Sequence, residues 1–364
     1  MTEQVALLDL TYDKLVDLLA GWGEPRYRAD QLWQWVFGRL VTQPAQMTNI
    51  PGALRQRLTD ATVVDAVTLA VEQRSRDGET FKWLFRLRDG LAIETVLMLY
   101  PAEPGWHEGR ATVCISSQAG CAMGCPFCAT GQAGLGRNLA PGEIVGQVLA
   151  VARWLATPPP DSGLASSRIT NIVLMGMGEP LANYERVWQA LRTLTDKRAF
   201  NLGARHFTLS TVGLVPGIRR MAQEPLQVNL AISLHAPNDA LRRQLVPISA
   251  RYPLDELMSA VREYIALTHR RVSFEYALMS GINDSPALAS QLVTLLKGVL
   301  CHVNLIPLNP VAGSPFQPSA PESVAAFQAV LAQGGIPATM RARRGLDIDA
   351  GCGQLRRRAA MEMK

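Results

Sequence analysis

The sequence predicts an α/β protein built on a parallel sheet with helices packed over it. Two patterns carry that prediction. From Thr112 onward, short β-like runs ("TVCISS", "NIVLMG", "HFTLST", "VNLAIS", "VSFEYALM", "HVNLIP") alternate with helical patterns near Pro141–Leu155, Tyr184–Leu194, Leu254–Leu267, Ser285–Leu296 and Pro321–Gln333. The β-like runs read as apolar on both faces, so helices must cover the sheet on both sides, and successive strand–helix units imply right-handed crossovers. A barrel-like or doubly wound sheet follows.

The remaining elements are read in chain order. "DKLVDLLAGWG" and "RADQLWQWVFGRL" space Leu15, Leu18, Leu19 and then Leu32, Val36, Phe37, Leu40 at helical intervals, and "PGALRQRL" adds a short third helix. Residues 1–62 are therefore expected to form a small helical unit. Residues 63–103 hold alternating runs separated by "RDGE" and "RDG", both turn signals, and predict antiparallel strands from about Val64 to Leu99. The large domain is expected over 104–340, with "TPPPDSGLASSR" as an exposed insertion, and 341–364 forms a tail.

A chain of 364 residues that is 48% hydrophobic is long enough for one large α/β domain of about 250 residues plus smaller pieces. It carries neither a signal-like N-terminus nor an apolar run of membrane length, so a cytoplasmic location without membrane contact is expected. The six cysteines then suggest metal or redox chemistry rather than a disulfide framework. Net charge is +5, a weak pointer to nucleic acid. From Met340 to the end, Arg341, Arg343, Arg344, Arg356, Arg357, Arg358 and Lys364 face only Asp347, Asp349 and Glu362. That tail could track a phosphate backbone or simply be a solvated terminus.

In parallel sheets the ligand sits where the loops after the strands gather. Cys121, Cys125 and Cys128 follow the first strand, "GMGEP" follows the second, Ser210 and Thr211 close the third, Ser233, Leu234 and His235 close the fourth, and Asn309 lies past the sixth. Structural zinc usually takes paired CxxC units, and no second pair exists here. Three thiols at spacings of four and three on a glycine-bearing loop suit a cubane cluster with one iron left for a non-protein ligand. A zinc site completed by a distant His, or incidental reduced cysteines, remain the competing readings.

The CxxxCxxC loop with Phe127 resembles the radical S-adenosylmethionine superfamily. Longer strings, "CISSQAGCAMGCPFCATGQAGLGRNL", "MGMGEPLANY", "AISLHAPND", "LIPLNP" and "DIDAGCGQL", resemble the RlmN and Cfr family of RNA adenine methyltransferases from about Leu15 to Leu355. "YRADQLWQWVF" looks like the RNA-binding accessory domain of the RlmN branch. The resemblance implies a partial, open TIM-type barrel of about six parallel β/α units carrying one 4Fe-4S cluster on Cys121, Cys125 and Cys128. It also implies two S-adenosylmethionine molecules per turnover, one a methyl donor and one a radical source. Gly178, Glu179, Ser210, Ser233, Leu234, His235 and Asn309 match the family's contacts to that cofactor. "LSTVG" lacks the second serine of many relatives, so only Ser210 is carried from it.

Carbon 2 of adenine is electrophilic and cannot attack a methyl sulfonium. By resemblance, a methyl is first placed on Cys352, a radical then abstracts hydrogen from it, and the resulting carbon radical adds to the base. Cys114 resolves the tethered adduct by forming a transient disulfide with Cys352, and Glu94 accepts the ring proton. The implied substrate is 23S rRNA, with tRNA open as a second one. The implied partner is a reductant such as flavodoxin or ferredoxin, and the chain is expected to be a monomer. An alternative is a Cfr-like carbon 8 methyltransferase conferring antibiotic resistance. A non-catalytic RNA-binding protein with a zinc knuckle is the reading from another class. Cys114 on a strand and Cys301 could be core packing, His235 a satisfied polar group, and Glu94 a surface residue on a hairpin. Cys352, between glycines in an arginine-rich tail, has little apolar company.

Overall fold

The computed structural model describes residues 4–102, 109–159, 162, 167–309, 314–341, 345–348 and 354. The N-terminal unit opens with β1 (Val5–Ala6), followed by α1 (Tyr12–Ala20), α2 (Tyr27–Trp33) and α3 (Gly52–Ala61), and β2 (Thr62–Val63) closes it by pairing with β1 in parallel. Thr11 caps α1 by accepting from the Lys14 amide at 3.3 Å, and the helix buries Leu15 and Leu19. α2 passes into a π-type turn at Gln34–Gly38 that turns Trp35, Val36 and Phe37 inward.

Three antiparallel strands follow: β3 (Thr68–Arg74), β4 (Thr80–Arg86) and β5 (Ala92–Tyr100). Both "RDG" stretches make the turns between them. β4 sends Phe81, Trp83 and Phe85 to one face, where the Trp154 ring lies 4.4 Å from Phe81 and 5.5 Å from Trp83. β6 (Arg110–Cys114) pairs antiparallel with β5, with Val96 opposite Cys114. From there the chain changes mode, because β6 pairs in parallel with β9 (Asn171–Leu174). Between those two strands lie the small hairpin of β7 (Gln118–Gly120) and β8 (Leu135–Asn138), the single-turn α4 (Ala129–Gln132), and α5 (Pro141–Ala156). Glu143 caps α5 by accepting from the Ala140 amide at 2.8 Å, as acids in a first turn should.

The parallel series continues with α6 (Tyr184–Thr195), β10 (Phe207–Thr211), α7 (Val215–Met221), β11 (Asn229–Ser233), α8 (Asp239–Leu245), α9 (Leu254–Thr268), β12 (Val272–Leu278), α10 (Pro286–Leu296), β13 (Cys301–Pro307), α11 (Pro321–Gln333) and β14 (Ala338–Met340). The resulting ten-stranded sheet runs β14, β13, β12, β11, β10, β9, β6, β5, β4, β3, open at both ends. Within this sheet β6, β9, β10, β11, β12, β13 and β14 pair in parallel. Parallel pairing forces helical returns, and their buried faces supply the outer core: Val148 and Val151 of α5, Trp188 and Leu191 of α6, Leu257 and Val261 of α9. Tyr184 stacks on Trp188 at 5.1 Å, worth about 1 kcal/mol beyond burial. One continuous core links Leu7 of the N-terminal unit to Leu331 of α11.

Two short helices, α7 and α8, and the edge strand β14 are additions to the pattern drawn from sequence. Seven residues or fewer give too little periodicity to stand out. The expected first strand, Thr112–Ser117, ends early: β6 stops at Cys114, residues 115–117 lie outside any strand, and β7 begins only at Gln118. Cys301 is buried in the core cluster. Among the described residues, no helix is long and apolar enough to cross a membrane. The tail residues Arg343, Arg344, Asp349, Cys352, Arg356, Arg357, Arg358, Glu362 and Lys364 lie outside the described residues.

Gly120 controls the β7–β8 hairpin, with φ of +94 and a hypothetical Cβ only 2.1 Å from the Gly134 carbonyl oxygen. Gly120→Ala is expected to cost more than about 2 kcal/mol, since both the left-handed backbone and the backbone collision oppose it. A denaturant titration checks this by a lowered midpoint at unchanged slope.

Candidate active site

β6 stops at Cys114 because the next residues leave the ladder for other partners. Ser116 donates its hydroxyl to the Glu94 carbonyl at 2.7 Å, and its amide donates to Gln147 Oε1 at 2.8 Å. Gln147, fully buried on α5, also donates to the Ser116 carbonyl at 3.0 Å. The Ser117 amide donates to the Met177 carbonyl at 2.8 Å, so the segment after β6 is bound to the segment after β9. Two glycines permit that approach. A Cβ on Gly176 would sit 2.6 Å from the Ile115 oxygen, and one on Gly178, at φ +105, would sit 2.5 Å from Gln118 Cβ.

That approach fixes Glu179. Its amide donates to Gln118 Oε1 at 2.8 Å, while its carboxylate accepts from the Leu181 amide at 3.0 Å and the Val212 amide at 2.8 Å. Burial still pushes the carboxyl up to about 7, against those lowering hydrogen bonds. A negative or shared-proton group is thus held rigidly at the strand ends.

Cys121, Cys125 and Cys128 all line one recess of about 130 Å³, together with Gly178, Glu179 and His235. Burial raises the Cys121 thiol to about 11 and raises Cys125 further, and the neighbouring sulfurs add to both shifts. The three sulfurs are therefore near enough to oppose one another as thiolates, and a bound cationic group would reverse that penalty. Among the described residues, no three His, Cys, Asp or Glu side chains gather around a point suited to one metal ion. Thiols set around a recess fit a cluster larger than a single ion.

The recess opens into a larger cavity of about 400 Å³. Ser210 and Ser233 face each other there with hydroxyls 3.3 Å apart. Asn309 Oδ1 is buried without a hydrogen-bond partner, a vacancy in bonding that a ligand donor would fill. His235 adopts a left-handed backbone, φ 58, and its Nδ1 accepts from the Ala277 amide at 3.0 Å. That bond assigns the ring proton to Nε2. Burial pushes His235 down to about 3, so it stays neutral, and the Phe127 ring meets it edge-on at 4.9 Å. The Asn283 side-chain amide locks this turn by donating to the His235 carbonyl at 2.8 Å.

Across the cavity lie Glu94 and Cys114. Glu94 is 3% exposed, so it is not a surface residue of the hairpin. Its position early in β5 puts it on the inner face with Val96 and Cys114. Burial pushes the Cys114 thiol up to about 11, opposed by the Arg341 and Lys82 charges. Gln354 also lines the cavity, whereas Cys352 lies outside the described residues.

Sequence reasoning missed two wall residues, Glu275 and Arg341, and a lysine buried against a third, Glu94. Glu275 on β12 is buried, accepts from the Asn304 side chain at 2.8 Å through Oε1, and leaves Oε2 without a hydrogen-bond partner. Arg341 follows β14 and joins the wall, with its guanidinium 3.8 Å from the Met175 sulfur. Lys82 is fully buried beside Glu94. A lone acid inside the apolar run "VSFEYALM", and a lysine between aromatic residues in "TFKWLF", are the signals that could have found two of them.

The sequence model described as the ribosomal RNA large subunit methyltransferase N-terminal domain matches residues 5–64, and that of the radical SAM superfamily matches residues 115–290. A probable dual-specificity RNA methyltransferase RlmN from Chloroflexus aurantiacus is 52% identical, covering 97% of this chain and 93% of its own length. The dual-specificity RNA methyltransferase RlmN 1 of Myxococcus xanthus is 51% identical over 96% of this chain and 94% of its own. The crystal structure of a radical SAM methyltransferase from Sphaerobacter thermophilus superposes with a TM-score of 0.90 at 50% identity, covering 96% of this chain and 98% of that one. With half of all positions shared along nearly the whole length, and the thiol loop seated at the parallel strand ends, this chain belongs to the RlmN family within the radical SAM superfamily.

Proposed function

We propose that the protein methylates carbon 2 of an adenosine in 23S rRNA, and of one in tRNA, using S-adenosylmethionine and a 4Fe-4S cluster. The observation that carries this reading is the placement of Glu94 and Cys114 on the wall of the same cavity that the Cys121–Cys128 loop lines. The names of the relatives favour carbon 2 over the Cfr-like carbon 8 alternative.

Cys121, Cys125 and Cys128 would hold the cluster, and the recess beside Gly178 and Glu179 suits the methionine end of the cofactor. When bound, the pair supplies one-electron cleavage chemistry that no side chain can provide. The Glu179 carboxylate, fixed by two backbone amides, orients a cofactor amine. Ser210, Ser233 and the unpartnered Asn309 oxygen offer hydrogen bonds along its nucleoside portion. Neutral His235 and Phe127 form a wall that keeps water from the recess.

Glu94 is the acceptor for the proton leaving the ring carbon, and Cys114 is the thiol that releases the product from Cys352. Gln354, two positions further along the sequence than Cys352, lines this cavity, which supports bringing the C-terminal loop to Cys114. In release the Cys114 thiolate attacks the Cys352 sulfur, and an S–S bond forms as the bond from that sulfur to the product carbon breaks. A dithiol reductant must return the disulfide to two thiols each cycle, while a reductant such as flavodoxin or ferredoxin would supply the electron for cofactor cleavage. The target base must leave its stack to enter the cavity.

RNA from a strain lacking this chain is expected to lose 2-methyladenosine by mass spectrometry, and persistence of that nucleoside would sink the carbon 2 reading. Anaerobically purified protein should be brown, with about four irons per chain. Colourless protein with zinc would return the site to the knuckle alternative. Cys114→Ala should accumulate RNA covalently held on Cys352, visible as a nuclease-sensitive band shift. Absence of that species contradicts the division of roles between the two thiols.

A further inference from the structure

Lys82 has no part in the reading above, and its environment is anomalous. β4 alternates Phe81, Trp83 and Phe85 toward α5 with Lys82 and Leu84 on the opposite face. Lys82 stands opposite Val96, and Val96 opposite Cys114, so the three form one row on the cavity side. Glu94 is two residues from Val96 on the same face. Lys82 Nζ lies 3.0 Å from Glu94 Oε2, with side-chain exposures of 0% and 3%. A buried pair of this kind is a poor stability device, because desolvating both charges offsets their attraction and an apolar pair of similar volume often does as well.

We propose that Lys82 is a positioning residue that aims the Glu94 carboxylate at the cavity through their ion pair, and whose charge biases Cys114 toward its thiolate. The proposal rests on the roles given to Glu94 and Cys114 above. The charged groups around the Cys114 sulfur have opposing effects. Lys82 and Arg341 favour the thiolate and Glu94 opposes it, while Glu275 on β12 is the further acid that faces Arg341. Removing the lysine charge therefore raises the pH at which Cys114 ionises, and removing the Glu94 charge lowers it. A role confined to packing has no such opposite signs.

The test uses full-length, cluster-loaded enzyme and follows iodoacetamide alkylation of Cys114 by peptide mass spectrometry at pH 8.5. Lys82→Met should slow alkylation about threefold to tenfold, corresponding to about half to one pKa unit, and Glu94→Gln should speed it by a similar factor. Lys82→Arg should stay near wild type. Lys82→Met combined with Glu94→Gln leaves no carboxylate unpaired, so comparison with Glu94→Gln alone isolates the lysine charge even where the single variant fails to fold. Equal rates in those two proteins overturn the proposal, as does acceleration in Lys82→Met. RNA methylation should fall in Lys82→Met and recover in Lys82→Arg, and full turnover in Lys82→Met also overturns it. Full methylation by Glu94→Gln would instead remove the base role that the proposal rests on, a result distinct from any change in alkylation.

Discussion

Parallel pairing from β6 to β14 is the constraint from which the rest follows. Each parallel strand must be left at its C-terminal end and the next entered at the opposite end of the sheet, so a covering return is compulsory and every departing loop gathers at the same strand ends. The thiol loop, the Gly176–Pro180 turn, and the segments after β10, β11 and β13 meet there because they have nowhere else to go. Close approach is then permitted by missing side chains at Gly176 and Gly178 rather than by any attractive contact.

The inner face of the sheet is unusually polar for a buried surface. Ser233, Glu275, Asn304 and Thr339 pair in register across β11 to β14, with Thr339 meeting Asn304 at 3.2 Å, and Ser210 on β10 joins the row through its hydroxyl, 3.3 Å from that of Ser233. Burying such groups costs free energy wherever a partner is lacking, as at Glu275 Oε2 and Asn309 Oδ1. A core built for stability alone would place apolar residues there. Desolvation is instead concentrated where a polar ligand can relieve it, while the opposite face, with Phe81, Trp83 and Trp154, carries ordinary packing.

Much of this was legible in the amino-acid sequence. The β/α alternation after Thr112, the turns at the two "RDG" stretches and the gathering of motifs at strand ends all reflect local patterns. The 2.0 and 3.6 residue periods report such patterns directly. What stayed hidden depended on tertiary burial. Lys82 interrupts the aromatic run of β4, but that interruption fits a solvent-facing position as well as an enclosed one, and only its burial against Glu94 in the folded chain separates the two. Glu94 could not be separated from a hairpin surface residue for the same reason. Glu275 was hidden by a simpler cause: it occupies a run called apolar by its neighbours. α7 and α8 escaped because a turn or two of helix leaves almost no periodic trace.

The β5–β6 hairpin has a geometric consequence of its own. Its strands join beyond the Tyr100–Arg110 pair, whereas Glu94 and Cys114 lie at the opposite end, where Val96 meets Cys114. The spacing of the two groups is therefore set by the ladder itself. Glu94 and Cys114 thus keep their separation through backbone pairing at the far end of the ladder, independently of how the two strands are joined.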